Sequence, residues 1–169
     1  YPLVIWVLFW PYLLGSWVNW LFWKQRIPLM AEIKRGIWLG ARPDKSDWKI
    51  IQQKGIETAI DLVPELSSKA PKEISWDHMP LLDIAIPDPK ALDELAKRIE
   101  VGLEKGGVYV HCALGMSRSV LAVCAYLIRC GHSIDYALNQ VDRYRPERVT
   151  RPYIAISLEL YQEYLDANS

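Results

Sequence analysis

The charged residues divide the chain into two unlike parts. Residues 1–23 contain no charged side chain, and all 20 basic and all 20 acidic residues of the 169-residue chain follow them. Five of the eight tryptophans also lie in this first stretch. An apolar, aromatic segment of this length has to meet a membrane or cover another apolar surface. We therefore predict an apolar segment at residues 1–23, a basic linker at residues 24–31 and a folded domain at residues 32–169.

The apolar segment has three interpretations. As a helix it is about 34 Å long, and the hydrocarbon core of a membrane is about 30 Å thick, so the segment can span one. It can also lie flat in the membrane interface, or pack as an arm against the domain. It has no charged n-region and no small-residue cleavage site, which argues against a signal peptide. Basic residues outnumber the single acid Glu32 directly after it, which predicts membrane association with the folded domain in the cytoplasm.

The composition of the whole chain excludes several classes of protein. The formal net charge is zero, so no excess of positive charge is available to neutralise a nucleic acid, and we expect no nucleic-acid partner. Hydrophobic residues make up 51 % of the chain, which excludes wholesale disorder. The three cysteines are too few for a disulfide framework and indicate a reducing compartment.

Short apolar runs alternate with helical patterns after residue 32, which predicts an α/β domain. Strands are predicted at residues 37–39, 58–62, 78–82 and 108–111, and helices at residues 45–54, 92–103, 119–130, 134–141 and 154–165. The helix at 119–130 is apolar almost all round, so we expect it to be central and buried. Cys124 and Cys130 on it are interpreted as small buried hydrophobic residues.

The stretch 108–119, VYVHCALGMSRS, carries the chemistry. A β-branched strand ends at His111, a six-residue loop follows, and the buried helix begins at Arg118–Ser119. A loop that enters a helix N-terminus directs several backbone N–H groups at one point, where the helix dipole adds positive potential. Cys112 stands at the start of this loop and Arg118 closes it. We therefore expect an anion-binding cradle with a thiol at its mouth.

This arrangement suits transfer of a phosphoryl group. The cradle and the Arg118 charge lower the pKa of Cys112 and produce the nucleophilic thiolate. The same N–H groups and the bidentate guanidinium bind phosphoryl oxygens and stabilise their charge in the transition state. Ser119 can donate a hydrogen bond to the thiolate when it leaves. The predicted phosphate-binding residues are Ala113, Leu114, Gly115, Met116, Ser117 and Arg118, with Gly115 permitting a backbone angle that a Cβ opposes.

The motif HCALGMSRS resembles the Cys-x5-Arg signature of protein tyrosine phosphatases, and in detail that of the dual-specificity subfamily. GIWLGARPDKSDWKIIQQKGIETAIDL is similar to the opening strand, helix and strand of that subfamily, MPLLDIAIPD to its general-acid region and YRPERVTRPYIAISLELYQEYL to its closing helices. The resemblance covers roughly residues 32–166. It implies a short, mainly parallel central sheet flanked by helices, here preceded by an apolar N-terminal helix. It also implies a cysteine-dependent phosphomonoester hydrolase with a phosphocysteine intermediate. The apolar segment ahead of such a domain resembles bacterial fusions of a membrane phosphatase with a dual-specificity domain.

The resemblance implies an aspartic acid that protonates the leaving oxygen and later activates water. Asp83 follows the predicted strand at 78–82, at the position where the subfamily carries its acid. Asp88 competes with it, but Asp88 precedes Pro89 and is explained by a helix N-cap. We therefore predict Asp83 as the acid. His111 is expected to hold loop carbonyls, to tune the thiolate, or simply to pack.

Other enzymes and functions stay open at this point. A rhodanese-type sulfurtransferase and an arsenate-reductase-like phosphatase also carry Cys-led loops, and a membrane-tethered phosphate-binding module without turnover is a third alternative. No Cys or His pair has the spacing of a metal site, so we expect no metal and no cofactor. We expect the substrate to be a phosphorylated protein or a lipid monophosphate. No inserted segment is evident that would deepen the pocket, and the uncharged loop residues Ala113, Leu114 and Met116 disfavour a polyphosphorylated inositol.

Overall fold

The computed structural model describes residues 3–64 and 69–168, and of residues 3–9 the backbone alone. Its sheet has the order β1-β2-β5-β3-β4, in which β1 is antiparallel to β2 and the other neighbours are parallel. This mainly parallel sheet flanked by helices confirms the predicted fold class. The elements are α1 (Leu3–Lys24), β1 (Met30–Lys34), β2 (Ile37–Ala41), α2 (Asp47–Gln53), β3 (Ile56–Asp61), β4 (Ser75–His78), α3 (Pro89–Lys105), β5 (Gly107–Cys112), α4 (Arg118–Arg129), α5 (Ile134–Tyr144) and α6 (Pro152–Ala167).

Two strands differ from the sequence prediction. The edge strand β1 begins at Met30, inside the predicted basic linker, and pairs with β2 from that residue onward. The strand predicted at 78–82 is instead β4, which ends at His78. Two backbone hydrogen bonds to the end of β3 continue beyond it, from the Met79 N–H to the Asp61 carbonyl oxygen at 3.0 Å and from the Leu81 N–H to the Leu62 carbonyl oxygen at 3.1 Å. After Leu81 the chain leaves the sheet as the irregular loop that carries Asp83.

Helix α4 runs through the centre of the core, as predicted from its apolar sequence. Its side chains from 118 to 125 are all buried, and Cys124 is completely inaccessible. The prediction for Cys130 is wrong, because this residue is the C-cap of α4 and is exposed. The helix turns out of the core there, and Gly131 follows with a left-handed backbone (φ 87°).

Helix α1 is fastened to the domain by its C-terminal end. Trp20 is buried and its indole Nε1 donates a hydrogen bond to the Arg42 carbonyl oxygen at 3.2 Å. Lys24 forms ion pairs with Asp44 and, at 2.7 Å, with Asp47. This end of the segment therefore behaves as a packed arm.

The length and apolarity of the helices bear on the predicted membrane segment. Within residues 3–64 and 69–168, no helix combines the length and the apolarity that crossing a membrane requires. The transmembrane interpretation is therefore not supported, while attachment to the membrane interface stays a prediction. The first two residues of the segment lie outside the described residues.

Candidate active site

The loop between β5 and α4 surrounds the Cys112 thiol. Cys112 is the last residue of β5 and is 2 % exposed. Its Sγ accepts a hydrogen bond from the Gly115 backbone N–H at 3.3 Å and lies 3.4 Å from the Ser119 Oγ. The sulfur therefore sits inside the ring of the loop, beside the N-terminus of α4.

Gly115 is required by both backbone angle and space. Its φ is 70°, in the left-handed region that favours glycine. A Cβ there would lie 2.4 Å from the Gly40 carbonyl carbon. The close approach of the loop to β2 is therefore open only to glycine, as the sequence analysis expects from the backbone angle.

Arg145 holds two carbonyl groups of the loop from outside. Its side chain is fully buried, and its Nη2 and Nε donate to the carbonyl oxygens of Leu114 at 2.9 Å and Gly115 at 3.2 Å. Its Nη1 donates to the Pro28 carbonyl oxygen. Sequence analysis missed Arg145. Four arginines occur between residues 143 and 151, and nothing local separates the one that enters the core from the others.

Backbone donors hold two further loop carbonyls. The Arg42 N–H donates to the Ala113 oxygen at 3.1 Å, and the Val149 N–H donates to the Met116 oxygen at 2.8 Å. In a trans peptide the C=O and the following N–H point in opposite directions. Carbonyls that are bonded to the surroundings of the loop thus turn the next N–H groups away from those surroundings. The loop is prepared to bind an anion with its backbone.

Arg118 and Asp83 complete the site. Arg118 is 3 % exposed, its Nη1 donates to the Leu81 carbonyl oxygen at 3.3 Å, and its Nη2 lies 3.6 Å from the Asp83 Oδ2. The Ser117 hydroxyl donates to the Asp83 Oδ1 at 2.8 Å. The loop after β4 therefore brings a half-exposed carboxylate to the mouth of the cradle.

The surroundings of Cys112 favour its thiolate. Burial opposes ionisation, but the Arg118 charge and hydrogen bonds from Ser119 outweigh it, so the pKa of the Cys112 thiol lies below its usual value. This direction is the one a nucleophilic cysteine needs. It agrees with the charge argument made from the sequence.

Asp88 occupies a different place. It is the N-cap of α3, and its Oδ1 accepts a hydrogen bond from the Lys90 N–H at 2.9 Å. A cap of this type explains an aspartate before Pro89 without any catalytic role. These positions agree with the preference for Asp83, whose role as proton donor stays a prediction.

His111 packs behind the loop. It is completely buried, its Nδ1 lies 3.7 Å from the Asp61 Oδ1, and its ring stacks on Tyr109 at 5.3 Å between centroids. Burial lowers the pKa of His111 to about 4, so the ring is neutral near pH 7. A neutral ring does not stabilise the thiolate by charge. The carbonyls of Leu114 and Gly115 are held by Arg145, whereas the sequence analysis had considered His111 for such a role.

The cradle forms the floor of a cleft of about 720 Å³. The walls come from the loop of Asp83 and Ile84, from the segment that contains Val149 and Tyr153, and from α1. The sequence analysis expected no segment that would deepen the pocket. Helix α1 provides such a wall, because its C-terminal end is packed beside the cradle.

Comparison with known proteins agrees with this geometry. Residues 37–163 match the family described as Dual specificity phosphatase, catalytic domain. Dual specificity protein phosphatase 14 of Mus musculus is 28 % identical over 142 residues, which cover 83 % of this chain and 69 % of that protein. Dual specificity protein phosphatase 1B of Arabidopsis thaliana is 24 % identical over 143 residues, which cover 83 % of this chain and 86 % of that protein.

Solved structures share the fold. Human DUSP28 has a TM-score of 0.74 at 22 % identity, and the match covers 83 % of this chain and 97 % of that one. PTPMT1 in complex with PI(5)P has a TM-score of 0.71 at 21 % identity, and the match covers 84 % of this chain and 100 % of that one.

The family match includes every residue from Ile37 to the end of the Cys112–Arg118 loop and beyond it, so the likeness does not rest on the short motif alone. It favours the phosphatase prediction over the sulfurtransferase and the non-catalytic alternatives. The resemblance to a bacterial membrane fusion stays a prediction. The chain belongs to the dual specificity phosphatase catalytic domain family and is a phosphatase.

Proposed function

We propose that this phosphatase hydrolyses phosphomonoesters through a covalent phosphate on Cys112. The observation that carries the proposal is the position of the Cys112 sulfur, which is held by the Gly115 N–H and Ser119 within a loop that Arg118 closes. Arg118 and the hydrogen bonds of Ser119 favour the thiolate form of this sulfur, next to an anion cradle. It can therefore attack a phosphorus atom that the cradle has bound.

The first chemical step forms the S–P bond and breaks the P–O bond to the leaving group. Arg118 and the loop N–H groups bind the three phosphoryl oxygens, and the guanidinium makes a two-pronged contact. Asp83 donates a proton to the leaving oxygen, which departs as an alcohol or a phenol. The phosphate stays on Cys112.

The second step releases phosphate and restores the enzyme. The Asp83 carboxylate, now deprotonated, takes a proton from water while the water oxygen attacks phosphorus. The S–P bond breaks, and the electron pair returns to the Cys112 sulfur. The hydrogen bond from Ser119 stabilises this thiolate as it leaves. The cycle closes without any metal or cofactor.

We further propose that α1 attaches the domain to the membrane interface on the cytoplasmic side. The support is an aromatic helix without acidic residues, after which the linker carries Arg26. Exposed aromatic rings at Trp10 and Trp17 suit the depth of lipid headgroups. The substrate is then a phosphorylated protein or a lipid monophosphate reached from that surface.

The experiment is detection of the intermediate. The full chain is mixed with p-nitrophenyl phosphate in the presence of a chelator and quenched with acid. Mass spectrometry of the proteolytic peptides should show one added phosphate on the peptide that contains Cys112, and turnover should proceed at an unchanged rate. A matched Asp88→Asn variant should give the same adduct. Turnover that stops with the chelator and returns with a divalent ion would contradict the proposal.

A further inference from the structure

Helix α1 is part of the wall of the catalytic cleft. It contributes five side chains to the cleft, and their spacing along the chain places them on one face of the helix. These are Tyr12, Ser16, Asn19, Trp20 and Trp23. A bound phosphomonoester therefore meets aromatic side chains of α1 beyond the phosphate itself.

The wall is tied to the catalytic loop. The Arg42 guanidinium lies over the Trp20 ring at 4.9 Å, and the Arg42 carbonyl oxygen accepts from the Trp20 indole. The N–H of the same residue donates to the Ala113 carbonyl oxygen in the loop. Lys24 adds its ion pair with Asp47. Trp20 and Arg42 thus connect α1 to the phosphate cradle. Together with the Lys24 ion pair, this connection fixes the position of the wall.

The loop that carries Asp83 exposes large apolar side chains. Ile84 lines the cleft and is 77 % exposed, and its neighbours Leu82 and Ile86 are exposed as well. Ile84 also has a left-handed backbone angle, φ 56°, which is unfavourable for a β-branched residue. Neither burial nor backbone preference explains an isoleucine at this position. An exposed isoleucine in this conformation is suited to contact with an apolar partner.

The wall that α1 adds to the cleft also carries an exposed aromatic side chain. Tyr12 of α1 lines the cleft and is 55 % exposed, and the exposed Ile84 lines it from the loop of Asp83. The other exposed apolar side chains of α1, such as Val18 and Leu21, lie away from the face that lines the cleft. We name the exposed side chains of Tyr12, Leu82 and Ile84 together the apolar rim.

We infer that the apolar rim rests on a lipid surface and that the cleft accepts a lipid monophosphate from it. The inference rests on the proposed function, because it needs a cradle that hydrolyses phosphomonoesters. The phosphate enters the Cys112 loop, and the apolar part of the lipid lies against α1. The rim contacts neighbouring lipids and holds the cleft at the interface.

The charges around the cleft suit an anionic lipid headgroup. Arg42 and Arg151 line the cleft together with Asp83, and α1 has no acidic residue. The acids next to α1, Asp44 and Asp47, are paired with Lys24. A surface of aromatic side chains, isoleucine and leucine beside arginines matches the interface of an anionic membrane.

The test compares three substrates with the full chain. These are phosphatidic acid in phosphatidylcholine vesicles, a phosphotyrosine peptide and p-nitrophenyl phosphate, each followed by phosphate release. We expect kcat/KM for the vesicle substrate to exceed that for the peptide. Hydrolysis of none of the three would mean that the proposed function itself fails. Hydrolysis of the peptide and the aryl phosphate, with phosphatidic acid slower than both, would overturn the lipid inference and favour a phosphoprotein substrate.

Two variants test the rim, each read as the ratio of vesicle to peptide kcat/KM. Ile84→Asn removes the apolar group and suits the left-handed backbone, so the fold is kept. Tyr12→Ser removes the exposed ring that α1 contributes to the cleft. Each should lower the ratio by roughly tenfold, because each removes a large apolar contact with lipid. Val101→Ser, which changes a similarly exposed side chain on α3, is the control and should leave the ratio unchanged. Ratios equal to that of the wild type in both rim variants would overturn the inference.

Discussion

Cys112 and Cys124 lie on one continuous strand, loop and helix, and both are buried. The pKa values of their thiols nevertheless shift in opposite directions. Burial raises the pKa of Cys124 to about 12. The pKa of Cys112 lies below its usual value, although burial opposes ionisation there too, because of Arg118 and the hydrogen bonds of Ser119. The loop around Cys112 and the apolar middle of α4 thus shift the pKa of the same side chain in opposite directions.

Both thiols are buried, so the arrangement of charge and hydrogen-bond donors around each sulfur, and not accessibility, decides its chemistry. The loop is kept open for an anion by partners outside it, among which Arg145 holds two carbonyls. No such requirement applies in the middle of α4, where the backbone bonds are those of the helix. The loop around Cys112 therefore needs a set of buried polar partners, because its buried carbonyl groups must be hydrogen-bonded. The apolar part of α4 needs none.

The largest expected effect separates the two cysteines directly. Cys112→Ser should abolish turnover while phosphate binding persists, because the N–H groups and Arg118 remain. Cys124→Ala removes a buried side chain and should lower the free energy of unfolding by about 1–2 kcal/mol with turnover retained. Rates with p-nitrophenyl phosphate, phosphate binding by calorimetry and urea unfolding measure these effects. A Cys124→Ala variant that is folded but inactive would break the comparison.

The next effect concerns the proton that the catalytic region supplies. Asp83→Asn should slow an alkyl phosphate such as phosphoserine by on the order of 10²–10⁴-fold, because a poor leaving group depends on protonation. An activated aryl phosphate should be slowed far less. Asp88→Asn keeps the α3 cap and should leave both rates unchanged. If Asp88→Asn shows the leaving-group dependence and Asp83→Asn does not, the acid has been assigned to the wrong carboxylate.

A smaller loss of rate tests what Arg118 contributes beyond its charge. Arg118→Lys keeps a positive charge near Cys112 but cannot make the two-pronged contact with phosphate. We expect kcat to fall by on the order of 10²–10³-fold. The pH dependence of Cys112 alkylation should change little, whereas Arg118→Met should move it towards the behaviour of an ordinary buried thiol. Near-normal turnover in Arg118→Lys would show that charge alone suffices.

The catalytic loop was predictable because its signals are local. Cys112, Gly115 and Arg118 lie within seven residues, and a strand and an apolar helix on either side fix their geometry. Asp83 was predicted as the acid through a resemblance and the competing cap at Asp88, and this role stays a prediction. The end of β4 was misplaced because the apolar run at 78–82 follows the residues that pair as a strand, which are Ser75–His78.

The supports of the loop could not be predicted from the sequence. Arg145 bonds to carbonyls about thirty positions away, and Trp20 contacts Arg42 across 22 positions. Neither contact leaves a spacing that can be recognised along the chain. The wall that α1 adds to the cleft depends on these long-range contacts, and a charge-free segment alone indicates only that it needs an apolar partner.

The last prediction concerns the stability of the catalytic region against acid. His111 has a pKa of about 4 in the folded protein, against a usual value of 6.5, because it is buried. Between these pH values the unfolded chain binds a proton at His111 that the folded chain does not bind. The free energy of unfolding should therefore decrease as the pH falls from about 6.5 to about 4, by roughly 3 kcal/mol from this group alone. Asp61 at 3.7 Å favours the protonated ring and Arg42 opposes it, so both contribute to the value.

The His111 contribution is isolated by comparing variants. Carboxylates also titrate in this range, so the measured quantity is the difference between the wild type and His111→Gln in urea unfolding at pH 7 and at pH 4.5. The wild type should lose more stability than the variant on acidification. Cys124→Ala should follow the wild type, because its thiol does not titrate in this range. Equal losses in the wild type and His111→Gln would mean that His111 is already able to take a proton in the folded state. The conclusion that burial lowers the pKa of His111 in the folded protein would then be wrong.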